Sequence, residues 1–137
     1  MATGAPRART DLHSEPVDSL VLQLTGTKRW LLVAPSESRF VRPSLSRDGR
    51  AYFVSTSPTE HPERTLGHVH RRVVDTRPGD ALWVPSWTWH RVDYYEGVTA
   101  LSASLFQVRV QALHRNALYS ALVVPNILKE VVGWKTQ

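Results

Sequence analysis

His13-Ser14-Glu15, then Gln23-Leu24-Thr25-Gly26-Thr27-Lys28-Arg29-Trp30, then Pro78-Gly79-Asp80-Ala81-Leu82-Trp83-Val84-Pro85 with Trp89-His90: read in this order, these stretches decide the fold. Between them the apolar runs are short and turn signals are frequent. That pattern predicts a mostly β chain, a barrel or sandwich. Residues 19–24 read as a strand, Thr25-Gly26-Thr27 as its turn, and residues 28–33 as the returning strand, stopped by Pro35. Residues 51–55, 68–76, 81–84, 90–94 and 98–110 supply further strands, while 57–67, with Pro58 and Pro62, reads as a loop. From Gln111 the period lengthens. Leu113, Ala117, Leu118 and Ala121 suit one helix face. Pro125 is expected to break that helix, with Asn126 capping a second one through Val132.

The bulk numbers set bounds. With 137 residues the chain is one domain by length, and its 42% apolar content can supply one core. No run of about 18 apolar residues occurs, so no membrane span is expected. The start lacks an apolar secretory core. Cysteine is absent, which excludes disulfides and zinc–thiolate sites and leaves any metal to His and carboxylates. An intracellular, cytoplasmic setting is the expectation. The net charge is +5, but its arginines and lysines are scattered and form no basic stripe. A solvated basic surface is expected rather than nucleic-acid binding.

His13 and Glu15 are two apart, so on an extended segment both point to one side. Pro16 favours that extended form at Glu15. With His90 they make two imidazoles and one carboxylate, the ligand set of an open facial Fe(II) site. Trp83, Trp87 and Trp89 would wall such a site from water. The alternative is a surface His beside a surface Glu, with His90 a core histidine. Lys28 at a strand start would need an anion if buried, or would otherwise reach outward to water. His68-Val69-His70 is a rival metal pair. His61 and His114 lack sequence partners and read as surface.

The quoted stretches, spread over residues 10–106, resemble the JmjC and cupin-like (Cupin_8-type) Fe(II)- and 2-oxoglutarate-dependent oxygenases, above all the asparaginyl hydroxylase and ribosomal oxygenase branches. The resemblance implies a cupin-like double-stranded β-helix, a jelly roll, at residues 10–110. A disordered segment at 1–9 precedes it and a helical tail at 111–137 follows. Because family members carry more strands ahead of the His-x-Glu segment, N-terminal strands are expected to be missing. The resemblance further implies iron held by His13, Glu15 and His90. The cosubstrate 2-oxoglutarate would be bound by Lys28 at its distal carboxylate and by Thr10. The activity implied is hydroxylation of a protein side chain or a small molecule, with a homodimer through the C-terminal helices. Departures are Glu15 where these branches carry aspartate, and Ser19 where the hydroxylases carry asparagine. A second polar contact would fall to Ser102 or Ser104. The alternative function is a catalytically inactive cupin-fold binding or interaction module, or a fragment of a larger oxygenase.

Overall fold

Alternation builds the framework. Along β3 (Asp18–Thr25), Ser19, Val21 and Gln23 are buried while Leu20, Leu22 and Leu24 are exposed, the period of a strand with one covered face. Gly26, with φ of 66°, turns the chain into β4 (Lys28–Val33), and Gly79, with φ of 93°, makes the turn before β8 (Ala81–Val84). Both conformations favour a residue without Cβ. A computed structural model describes residues 8–47, 50–56, 67–95 and 99–132.

The other elements are β1 (Ala8–Arg9), β2 (His13–Ser14), a 3-10 helix (Pro35–Phe40), β5 (Pro43–Leu45), β6 (Phe53–Ser55), β7 (Arg71–Thr76), β9 (Trp89–Tyr94) and β10 (Leu101–Gln107), followed by helices α1 (Val110–Arg115) and α2 (Ala117–Val132). One sheet runs β5-β6-β2-β9-β4-β7, with β1 also on β9; the other runs β10-β3-β8. Every pairing is antiparallel. This is the mostly β, cupin-like sandwich with a short C-terminal helical part that the sequence led us to expect.

The core has two parts. Val21 and Val84 of the smaller sheet meet Trp30 and Val92 of the larger one. On the opposite face of the larger sheet, Leu31, Val33 and Trp89 pack with Val41, Phe53 and Val123 of α2. Alternation along β4 and β9 separates the two groups.

Several local expectations are corrected. The strand expected at 98–110 is Leu101–Gln107, and Val110 already opens α1. The strand expected at 68–76 begins at Arg71. The helix break lies at Asn116, with φ of −130° and ψ of 60°, and α2 runs through Pro125. A proline inside a helix loses an N–H and crowds the carbonyl four residues back, which costs about 3 kcal/mol. Here Val123 is fully buried on one side of it, and on the other Asn126 is buried with its Nδ2 donating to the Arg50 carbonyl. Asn126 is therefore a tether, not a cap. Leu118 is exposed, and Tyr119 takes the core side instead. The loop expected at 57–67 lies almost wholly outside the described residues, as do His61 and residues 1–7; Ala8 and Arg9 pair with β9.

Candidate metal centre

His13 on β2 and His90 on β9 are direct partners across the ladder, with ring centroids 4.2 Å apart. Glu15 follows His13 by two residues on the same side of the chain. One ligand atom from each of His13, Glu15 and His90 lies within 4.8 Å of the others, and all three side chains are half-buried. His68 and His70 flank buried Val69, are both exposed, and join no such cluster of three among the described residues. His114 is exposed.

The two imidazoles are oriented alike. Nδ1 of His13 lies 2.7 Å from the Asp11 carbonyl, and Nδ1 of His90 lies 3.0 Å from the Thr88 carbonyl. A carbonyl only accepts, so each Nδ1 carries the hydrogen and donates it. That leaves each Nε2 lone pair for a ligand, the arrangement that outer hydrogen bonds impose on metal-binding histidines. Burial, and then the neighbouring His13, pull the His90 pKa down to about 4, against a small opposing effect of the Thr88 carbonyl. His90 is therefore neutral near pH 7.

The segment carrying Glu15 is clamped. Ser14, fully buried, donates from Oγ to the Trp87 carbonyl at 2.9 Å, and the Trp87 N–H donates to the Glu15 carbonyl at 2.8 Å. Trp87 achieves this with φ of 65°, a left-handed conformation that costs a bulky residue energy. Its indole Nε1 donates to the Ala112 carbonyl of α1 at 3.0 Å, which ties the turn down. The same turn is held from the other side by Asp18, which accepts from the Ser86 N–H at 2.8 Å and the Ser86 hydroxyl at 2.6 Å, and pairs with Arg109. Burial would raise the Asp18 pKa, but Arg109 and Ser86 outweigh it and hold it below the ordinary value. Sequence reading missed this anchor, because its members are far apart in the chain.

The tryptophan wall is also corrected. Trp87 and Trp89 belong to the core on the opposite face of the larger sheet, and Trp83 is about half exposed. On the face of the site itself stands Trp30, whose ring lies 6.2 Å from that of His90.

Lys28 lies inside, only 7% exposed, on the same face of β4 as Trp30. Its Nζ donates to Ser102 Oγ at 2.6 Å and stands 5.3 Å from the centre of the Tyr94 ring. Burial lowers its pKa, and among the described residues no carboxylate pairs with it. Beside it, Trp30 Nε1 donates to Thr76 Oγ1 at 3.1 Å and Thr76 Oγ1 donates to Gln23 Oε1 at 3.3 Å. Gln23 opens one of the quoted stretches but had no role assigned from the sequence, and Thr76 was not singled out. Thr10 pairs with β9: its Oγ1 accepts from the Val92 N–H at 3.0 Å and keeps its own hydrogen to donate.

A family model described as a cupin-like domain matches residues 1–111. Curated relatives include HSPB1-associated protein 1 of Homo sapiens, 27% identical over 117 residues, covering 82% of this chain and 24% of that protein. The Bos taurus protein of the same name is 29% identical over 101 residues, covering 70% of this chain and 21% of that protein. The chain thus spans less than a quarter of the length of the curated relatives it matches. Among solved structures, E. coli ycfD aligns with a TM-score of 0.46 at 18% identity, covering 82% of this chain and 26% of that one. No helix among the described residues is long and apolar enough to cross a membrane.

Proposed function

The chain belongs to the cupin-like domain family, and from that premise we propose that it is an Fe(II)- and 2-oxoglutarate-dependent oxygenase that hydroxylates a protein side chain or a small molecule. The observation that carries this reading is Lys28. A buried ammonium with no carboxylate partner among the described residues is costly unless an anion arrives. It faces the interior from the strand that pairs with β9, which carries His90.

The donor set fits the ion. Two imidazoles with their Nδ1 hydrogens engaged, plus one carboxylate, leave open positions for other ligands. His13, Glu15 and His90 would hold iron, which when bound supplies oxygen activation for C–H hydroxylation. Lys28 pairs with the distal carboxylate of 2-oxoglutarate, and Ser102 steadies the ammonium. Thr10 donates its hydroxyl hydrogen to the cosubstrate. Trp30 shields His90 on the side away from His13 and keeps that imidazole desolvated. In this reading residues 10–110 are the catalytic domain, residues 111–137 its C-terminal tail, and the setting is the cytoplasm.

A second reading is an inactive cupin-fold module, or a piece of a larger oxygenase, that acts by binding protein. It is favoured by the relatives' name, which records association with HSPB1. Iron-dependent formation of succinate from 2-oxoglutarate by the purified chain separates the two. Succinate supports the oxygenase. Bound iron without succinate supports the interaction module.

A further inference from the structure

A cavity of about 490 Å³ opens beside the triad. Glu15 and Tyr52 form one wall, and Phe106, Val108, Leu113 and Ile127 form much of the rest. Tyr52 also stands edge-on to His13, with ring centroids 5.8 Å apart. The cavity and the candidate metal ligands therefore share Glu15, and Tyr52 joins the cavity wall to His13.

The β10 register places this cavity along the interior. Ser102, Ser104 and Phe106 lie opposite Gln23, Val21 and Ser19 of β3, all three buried. Alternation turns the β10 row toward the space between the sheets. Lys28 meets Ser102 at one end of the row, and Phe106 stands in the cavity wall at the other. The β10 row thus runs from a cationic end between the sheets to an apolar end open to solvent, with Glu15 beside the apolar one.

The walls select the guest. Most of the lining is apolar and gives a desolvated charge no partner, and its one carboxylate, Glu15, is taken up as a metal ligand in the oxygenase reading. Arg50, exposed in the lining, disfavours a cationic guest. The volume is that of a site for a small ligand, within the range of about 300–1,000 Å³. Resting on the oxygenase reading above, we propose that this cavity is the substrate subsite. Its guest is an uncharged apolar group of leucine to phenylalanine size; lysine-like substrates are excluded.

The test uses blocked pentapeptides of glycine with leucine, phenylalanine, lysine or glutamate at the centre. Each is titrated by saturation-transfer NMR onto the protein without metal and onto the protein with Co(II) added. The leucine and phenylalanine peptides bind at least about ten-fold more tightly than the charged ones, because a buried unpaired charge is costly. With Co(II), the bound apolar side chains broaden. Phe106→Asp and Val108→Asp, at positions 65% and 58% exposed and so tolerated by the fold, remove the preference. N-acetyl-leucinamide is run in parallel. Binding as tight as the leucine peptide assigns the group to a small molecule, and weaker binding assigns it to a polypeptide. Equal binding of all four peptides, or an unchanged preference in both variants, overturns the proposal. No uptake of Co(II) by the unaltered protein defeats the oxygenase reading instead, and the peptide preference without metal is still read by itself.

Discussion

His13 and His90 face each other across one rung of the β2–β9 ladder, each with its Nδ1 bonded to the carbonyl two residues before it. The pairing register therefore sets the separation of the two imidazoles, and the backbone sets their orientation. Side-chain flexibility contributes little, which is the condition for a metal site of defined geometry.

One Fe(II)-type ion per chain is expected at this pair and Glu15. His90→Ala should abolish binding, because His13 and Glu15 alone hold such an ion poorly. Metal content by mass spectrometry checks it. Metal kept in His90→Ala but lost in His68→Ala with His70→Ala would transfer the site to the exposed pair.

Lys28→Ala should weaken 2-oxoglutarate binding by roughly 2–4 kcal/mol, by leaving a carboxylate without its charge partner. Lys28→Arg should keep part of it. Without cosubstrate the sign reverses. Lys28→Met removes a buried cation that has no carboxylate partner among the described residues and should leave the unfolding temperature equal or higher. Calorimetry and thermal unfolding give the two answers. Equal affinity in wild type and Lys28→Ala would deny Lys28 any part in binding.

Ser14→Ala should leave the buried Trp87 carbonyl without its donor and cost about 1–3 kcal/mol of stability. It should also loosen Glu15 and weaken Co(II) binding about 10- to 100-fold, the usual effect of losing an outer support. A Co(II) titration that matches wild type would reduce the Ser14–Trp87 contact to a purely structural role.

Asp18 sets an acid limit. Its folded pKa is below its ordinary value of 3.8, so its stabilisation is fully present above that value. It is lost as pH falls through the folded pKa. Asp75, held low chiefly by Arg29, adds in the same direction. Asp18→Asn should thus be less stable than wild type at neutral pH, with the gap closing in acid below 3.8. Urea midpoints across that range measure it. A gap independent of pH would show that the carboxylate charge is not what matters.

The exposed side of α2 carries Leu118, Leu122, Leu128 and Val132. A homodimer through these helices should fall apart in Leu118→Glu with Leu128→Glu, at positions 69% and 57% exposed, with no loss of folding. Light scattering gives the mass. A mass in solution that both proteins share would remove the helices from any dimer contact.

Local chemistry was enough to read much of this chain. Short apolar runs, with glycine and proline at the turns between them, marked β3, β4, β8 and β9, because the strands of a sandwich are short and end where the chain must turn. The two-residue spacing of His13 and Glu15 put them on one side, because side chains alternate along an extended segment. Tertiary packing decided the rest. Which face of β9 carries His90 and which Trp89 depends on register, and register is a property of the paired strands. Pro125 stays helical because Val123 and Asn126 are held on either side of it, contacts that no local propensity contains. The Ser14–Trp87 and Asp18–Arg109 contacts join residues far apart in the chain, so only the closed sandwich brings their atoms within bonding distance.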